Sequence, residues 1–61
     1  MEVEGYHGDK IHVGDYVEDV REEGHKRRKV VNMLKGIVGV MKHHNVTYLP
    51  AEFFRRVKED S

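Results

Sequence analysis

The chain has 61 residues, no cysteine and a formal net charge of zero, from 11 basic and 11 acidic side chains. A chain this short forms one domain with a small core. The lack of cysteine excludes disulfides and thiolate chemistry and fits a reducing compartment. No apolar run approaches the roughly 18 residues of a membrane span, and the acidic start lacks the features of a signal peptide. We therefore expect a soluble, cytoplasmic protein without membrane contact.

The balance of charge bears on the partner. Proteins that bind nucleic acid strongly and non-specifically usually carry an excess of lysine and arginine, because neutralising phosphates supplies much of the affinity. A net charge of zero argues against such a protein and leaves room for a local basic patch. It also weakens repulsion between copies, so we expect a monomer or a weak homo-oligomer.

The first predicted elements are an arm and a strand. Residues 1–9 are polar, with Tyr6 as the one bulky side chain, which predicts a loosely ordered N-terminal arm. Residues 10–20 alternate in part between apolar and polar, which predicts a strand that bends or bulges at Gly14.

A charged stretch follows at residues 18–29. It is acidic before Gly24 and basic after it, and glycine is the natural turn residue between the halves. Runs of charge usually lie in water, so we expect a solvated loop or hairpin.

The second half of the chain predicts strands. Residues 30–41 are rich in valine and isoleucine, and Gly36 and Gly39 argue against a long helix, because glycine costs about 1 kcal/mol relative to alanine there. Two strands with a kink at Gly36, or one strand with a bulge, fit this composition. Residues 42–45 are a polar link typical of a hairpin loop, and residues 46–49 form the returning strand.

Pro50 ends the regular pairing because it has no N–H to donate. Residues 51–54 fit one turn of helix with Pro50 at its first position. So short a segment leaves open whether residues 50–58 are helix or a turn followed by a last strand. Residues 59–61 are a polar tail.

Three short segments together resemble a known family. Residues 14–17 (Gly-Asp-Tyr-Val) resemble the Gly-Asp-x-Val opening of small bacterial and archaeal barrels of the Src-homology-3 type, or SH3-like barrels. Residues 35–39 (Lys-Gly-Ile-Val-Gly) are similar to the Gly-x-x-Gly core of the KOW motif of transcription elongation factors and ribosomal proteins. Residues 48–53 resemble the aromatic-x-Pro-x-x-aromatic segment that forms a 3₁₀ turn before the last strand of these barrels.

The resemblance implies an all-β fold: a small five-stranded antiparallel SH3-like barrel over residues 10–58, with a short 3₁₀ or helical turn near the C-terminus. Two features depart from the KOW pattern. Met41 stands where that motif usually has valine, and the charged residues 18–29 separate two segments that normally lie close together.

Small domains need their large apolar side chains inside, which gives a predicted core. Strand faces alternate, so some of its members must point outward, and the sequence does not assign which. The predicted core is Ile11, Val13, Val17, Val30, Leu34, Ile37, Val38, Val40, Val46, Leu49, Phe53 or Phe54, and Val57.

The basic residues 25–29 are the best candidate for function. In a long loop they would stand beside Lys35 and the link at 42–45, where lysine and arginine bind phosphates and Tyr16 or Tyr48 offers a ring for base stacking. The predicted nucleic-acid-binding residues are Lys26, Arg27, Arg28, Lys29, Lys35, Lys42, His43 and His44. The alternative is that these charges only solvate the domain and pair with the acidic half, at about 0–1 kcal/mol per exposed pair.

Protein recognition is the second predicted function. Src-homology-3 domains bind proline-rich peptides in aromatic-lined grooves, and the matching positions here would be Tyr48, Pro50 and Phe53. The chain lacks tryptophan and the Ala-Leu-Tyr-Asp-Tyr opening of such domains. We keep RNA or DNA binding as the first function and a protein–protein interaction or regulatory module of a larger complex as the alternative.

Catalysis and metal binding have little support. The five histidines show no i, i+4 pairing and there is no cysteine to complete a zinc site, so we expect no metal. There is no glycine-rich phosphate loop, and the one serine, Ser61, is the terminal residue. We therefore expect no enzyme, no catalytic residue and no cofactor. If the histidines titrate near about pH 6.5, an anionic partner should bind more tightly below that pH.

Overall fold

A computed structural model describes residues 2–57 of the chain, and the predicted tail at 59–61 lies outside these described residues. Their regular elements are strands and 3₁₀ turns, so the expected all-β class is confirmed. Within residues 2–57, no helix has the length and apolar character to span a membrane. The strands are β1 (Glu2–Glu4), β2 (Lys10–His12), β3 (Tyr16–Asp19), β4 (Arg27–Leu34), β5 (Ile37–Lys42), β6 (Asn45–Pro50) and β7 (Phe54–Arg56), and the 3₁₀ turns are Tyr6–Gly8 and Ala51–Phe53.

Five strands form an open antiparallel sheet in the order β6-β5-β4-β3-β7, while β1 and β2 pair separately. The predicted strand over residues 10–20 is divided by a turn at Gly14, where φ is 98°. The predicted break at Gly36 is a two-residue turn, and its φ of 73° suits glycine. The predicted hairpin loop is confirmed and is tight, since His43 and His44 alone join β5 to β6.

Strand β4 changes its outward-facing side chains partway along. Its register with β5 shifts between Val30 and Asn32, so it carries a bulge. Before the bulge, Lys29 is exposed and Val30 is buried; after it, Met33 is buried and Leu34 is exposed. A bulge inserts one residue into the alternation, which moves the following side chains to the opposite face. The start of β4 therefore presents charge outward and its end presents apolar groups.

The core differs from the predicted one in identifiable ways. Val13, Leu34, Ile37 and Val46 were expected inside, and they are 37–55% exposed, because they fall in a turn or on the outward side of their strands. Of the two phenylalanines, Phe54 is the buried one. The buried core consists of Ile11, Val17, Val30, Met33, Val38, Val40, Ala51 and Phe54, with Val3 and Leu49 packed against it.

The N-terminal segment lies against this core through Gly5. A Cβ atom at Gly5 would collide with the side chain of Ile11 and stand 2.5 Å from the carbonyl oxygen of Phe54. The Gly5 amide also donates to the carbonyl of Asp9 at 2.6 Å. Only glycine allows this close approach. That residues 1–9 are loosely ordered stays a prediction.

Candidate nucleic-acid interface

The outer side of β3, β4 and β7 carries a cross-strand array of charges around one carboxylate. Glu18 of β3 lies opposite Arg27 of β4 and opposite Arg55 of β7. The Arg55 guanidinium donates to Glu18 Oε2 at 2.8 Å, and His25 Nδ1 lies 3.4 Å from the same oxygen. The Glu18 side chain is only 14% exposed, against 52% for Arg55, so the neighbouring side chains shield the acid from solvent.

Two further side chains extend this array along the strands. Lys29 lies directly opposite Tyr16, and both share the outer side with Arg27 and Glu18 because side chains two apart on a strand face the same way. Tyr16 is 37% exposed. We call the set Tyr16, Glu18, Arg27, Lys29 and Arg55 the basic face.

The basic face has an excess of positive charge. Within residues 2–57, no carboxylate lies within ion-pair distance of Arg27 or Lys29. Only Arg55 of its three cations has an acidic partner, Glu18, among the described residues. Arg27 and Lys29 can therefore bind a ligand without the loss of an internal ion pair. The exposed side chain of Tyr16 belongs to the same face.

Arg28 and Lys42 belong to a different cluster, centred on Glu22. The Arg28 guanidinium donates to both carboxylate oxygens of Glu22, at 3.2 and 3.1 Å, and Lys42 Nζ lies 3.6 Å from one of them. The hydrogen bonds and charge of Arg28, with a smaller contribution from Lys42, outweigh partial burial and lower the pKa of Glu22. The Arg28 side chain is 11% exposed, so this predicted residue faces the loop after β3 instead of a ligand.

Asp19 and Arg21 form a third cluster in that loop. Partial burial raises the pKa of Asp19, but hydrogen bonds from the side chain and backbone of Arg21 outweigh it, and the net shift is downward. The Arg21 guanidinium also lies 3.7 Å from the centre of the Phe53 ring. The acidic half of the charged stretch is therefore largely engaged within the protein.

The remaining predicted residues lie at two ends of the sheet. Lys35 occupies the turn after β4. A strand rises some 3.3 Å per residue, so Lys35 lies about 20 Å along the strand from Lys29. The structure therefore does not bring Lys35 beside the basic segment. His43 and His44 form the turn after β5, at the end where Lys42 approaches the loop, and both are exposed. Lys26 precedes β4 and is exposed.

Arg55 is the residue of the basic face that sequence reasoning missed. Its partner Glu18 is 37 residues away, and their pairing depends on β7 lying beside β3. No local pattern signals that contact. The sequence could have indicated that Arg28 faces away from Arg27 and Lys29. Successive side chains of a strand point to opposite faces, and β4 begins at Arg27.

In the described part of the chain, no group of three or more histidine, cysteine, aspartate or glutamate side chains could hold a metal ion. His12 lies 2.9 Å from Glu2 and 3.5 Å from Asp15, as a structural bridge between β1 and the turn after β2. No protein-family model, curated protein or solved structure matches this chain. A functional proposal therefore depends on the geometry of these residues.

Proposed function

We propose that this chain is a small SH3-like barrel that binds nucleic acid, without catalysis, through the basic face. The observation that carries the proposal is the cross-strand array in which Arg27 and Arg55 lie opposite Glu18 on the two neighbouring strands and Lys29 lies two residues from Arg27 on the same side. Arginine and lysine are the side chains that bind phosphate oxygens, and arginine can do so with two parallel hydrogen bonds. The backbone of a nucleic acid offers a row of such oxygens.

The strand order supports the barrel. The resemblance implies a five-stranded barrel in which a short 3₁₀ turn precedes the last strand. Here the 3₁₀ turn Ala51–Phe53 precedes β7, and β7 pairs with β3, the first strand of the five-stranded sheet. The predicted Gly-Asp opening at residues 14–15 immediately precedes β3.

Tyr16 favours a single strand as the ligand. Tyr16 lies opposite Lys29 and its side chain is accessible, and aromatic rings bind unpaired bases by stacking, at about 1–3 kcal/mol per base. Bases in a duplex are already stacked and offer no free surface of this kind. Glu18 holds Arg55 in place and limits how many phosphates can approach the face.

The size of the basic face sets the expected salt dependence. With three phosphate contacts, binding of a single strand should fall roughly 20-fold, and binding of a duplex roughly 40-fold, between about 50 and 200 mM salt. This is a modest electrostatic contribution, which agrees with a net charge of zero. The affinity should therefore come from stacking and charge together.

The test is a titration of short single-stranded RNA and DNA into the full chain at about 50 and 200 mM salt, followed by NMR amide shifts. We expect saturable shifts on β3, β4 and β7. Lys29→Gln should weaken binding several-fold, whereas Lys35→Gln, which removes the same charge at the far turn, should not. No shifts at low salt would overturn the proposal, and equal losses in the two variants would overturn the assignment of the face.

Recognition of a protein is the second candidate, supported by a cleft between the two 3₁₀ turns. The cleft has a volume of about 450 Å³ and is lined by Tyr6, His7, Val20, Glu52 and Phe53. Aromatic side chains beside a carboxylate suit a basic or proline-containing peptide. Amide shifts at these residues with such a peptide, and none with nucleic acid, would favour this candidate.

A further inference from the structure

We infer that a second copy of this chain docks on the outer side of β4, β5 and β6, as a weak two-fold dimer. This side carries apolar residues where a solvated sheet would carry polar ones. Leu34 lies opposite Ile37, and Met41 lies opposite Val46, with Tyr48 between these pairs opposite Gly39. We call Leu34, Ile37, Met41, Val46 and Tyr48 the apolar face.

The apolar face is continuous and large for so small a domain. Each of its five side chains is 37–54% exposed. Together they form a patch of a few hundred Å², on the order of 400 Å². Single exposed apolar side chains are ordinary, whereas a contiguous patch of this size is about as large as the largest patch on a typical monomer, and such patches are often functional. With its polar rim, the patch approaches the 600 Å² or so per partner of a weak, transient interface.

Tyr48 is fixed before any partner arrives. Its ring lies over Gly39, where a Cβ atom would stand 2.7 Å from the ring, and Asn32 Nδ2 donates to its hydroxyl at 3.1 Å. A large aromatic side chain held in one position loses little conformational entropy on binding. The centre of the apolar face is therefore preorganised for contact.

The cleft beside the apolar face identifies the partner as a second copy. It has a volume of about 390 Å³ and is lined by Glu2, Val3, Met33, Leu34, Lys35 and Gly36. Leu34 thus protrudes, 54% exposed, at the edge of an apolar cleft, and side chains of opposite charge stand on the rim. Because the protrusion and the cleft are adjacent, as are the acid and the base, two copies can place each feature against its counterpart across a two-fold axis.

Charge also permits this pairing. Within residues 2–57, Lys35 makes no ion pair, whereas Glu2 contacts Lys10 and His12 through its carboxylate. In a two-fold dimer, the free ammonium of Lys35 can approach Glu2 of the other copy. Identical copies do not repel each other at long range, because the net charge is zero. The dimer leaves the basic face open, so this inference does not depend on nucleic-acid binding.

Sedimentation equilibrium of the full chain tests the dimer. From about 10 μM to about 1 mM, where a weak dimer dissociates, the apparent mass should rise from 7.2 kDa toward twice that value. A chain that stays monomeric to the highest concentration would overturn the inference.

A pair of matched variants then locates the interface. Leu34→Glu places a charge on the apolar face and should weaken the dimer at least ten-fold. The control is Val13→Glu, in the turn between β2 and β3. Val13 is 55% exposed and Leu34 is 54% exposed, so the same charge is added at an equally exposed apolar residue, and the dimer should stay intact. Equal losses in both, or no loss in Leu34→Glu, would overturn the assignment of this face.

Lys35→Glu tests the two-fold arrangement itself. It makes the rim of the cleft acidic on both copies, so the dimer should weaken several-fold at low salt and recover in part at high salt. An unchanged dissociation constant in this variant would contradict the pairing of Glu2 with Lys35. Proton–nitrogen spectra of each variant at low concentration show whether the monomer keeps its fold, so a folding defect is recognised separately.

Discussion

The basic face and the apolar face lie on the outer side of the same sheet and share β4, yet they differ in what they offer a partner. The basic face carries three cations and one acid, and the apolar face carries five exposed apolar side chains. The bulge after Val30 separates the two along one strand. The net charge of zero and the ordinary hydrophobic fraction of 38% are averages, and they do not reveal that charged and apolar side chains occupy separate parts of the surface.

The two faces also differ from the layer beneath them. Cross-strand pairs on an exposed face contribute about 0.2–1 kcal/mol each, whereas filling the core contributes several times more per side chain. Substitutions on either face should therefore change binding and leave the fold intact, and substitutions in the core should do the reverse.

The largest expected effect is in the core, at Phe54. Phe54→Ala should lower the free energy of unfolding by about 3–5 kcal/mol, because it removes a ring that is 1% exposed from beneath β7. In so small a domain this loss should unfold much of the population. The adjacent Phe53→Ala removes the same ring from a half-buried position and should cost about 1 kcal/mol, mainly through lost contact with Arg21. Urea denaturation of both variants gives the comparison, and equal losses would contradict the assigned core.

The next effect concerns the one acid of the basic face. Glu18→Gln leaves Arg27, Lys29 and Arg55 without a nearby carboxylate, so a single strand should bind about five-fold more tightly at low salt, equivalent to about 1 kcal/mol. The control is Glu52→Gln, which makes the same change in the cleft between the two 3₁₀ turns and should leave the affinity for the single strand unchanged. Fluorescence anisotropy with a labelled oligonucleotide measures both. Weaker binding by Glu18→Gln would mean that holding Arg55 in place matters more than the removed repulsion.

A smaller effect is expected in the turn that closes the apolar face. His43 and His44 both have positive φ, 48° and 69°, where asparagine and glycine are less strained. Replacing them with Asn-Gly should raise the free energy of unfolding by about 0.5–1 kcal/mol and leave the dimer unchanged. His12→Asn is the control, since His12 lies in β2 and should show no gain. A variant that unfolds more easily than the native chain would contradict this account of the turn.

Local patterns were enough to predict most elements. Gly36, the polar link around His43 and the break at Pro50 each mark a change of direction that needs no knowledge of distant contacts. The all-β class follows from the β-branched residues between these points. Both alternatives for residues 50–58 were stated, and the structure has the 3₁₀ turn followed by β7.

Distant contacts account for what the sequence did not predict. Residues 18–29 were expected to be a solvated loop or hairpin, and the structure has a hairpin in which residues 20–26 join β3 to β4. The charge pattern did not indicate that β4 begins as early as Arg27, which lies opposite Glu18. The bulge in β4 places Met33 inside and Leu34 outside, opposite to the predicted core. Arg27 and Lys29 of the basic face were predicted from their charge alone, whereas Arg55 requires the pairing of β3 with β7.

The smallest effect distinguishes the Glu22 cluster from both faces by its dependence on pH. The Arg28 hydrogen bonds lower the pKa of Glu22 in the folded chain, so the unfolded chain binds a proton first as the solution is acidified. The stabilisation is complete above the ordinary glutamate pKa of about 4.3 and is lost as the pH falls through the lower folded value. Melting temperatures of the native chain and Glu22→Gln should therefore differ near neutral pH and converge in acid.

Asp19 has a lowered pKa in both proteins and cancels from the comparison. Glu23→Gln removes the neighbouring charge of the same loop, at a side chain without an ion pair in residues 2–57, and is the matched control. A difference for Glu22→Gln that stays constant from pH 7 into acid would mean that packing, and not the ion pair with Arg28, holds the loop against β4.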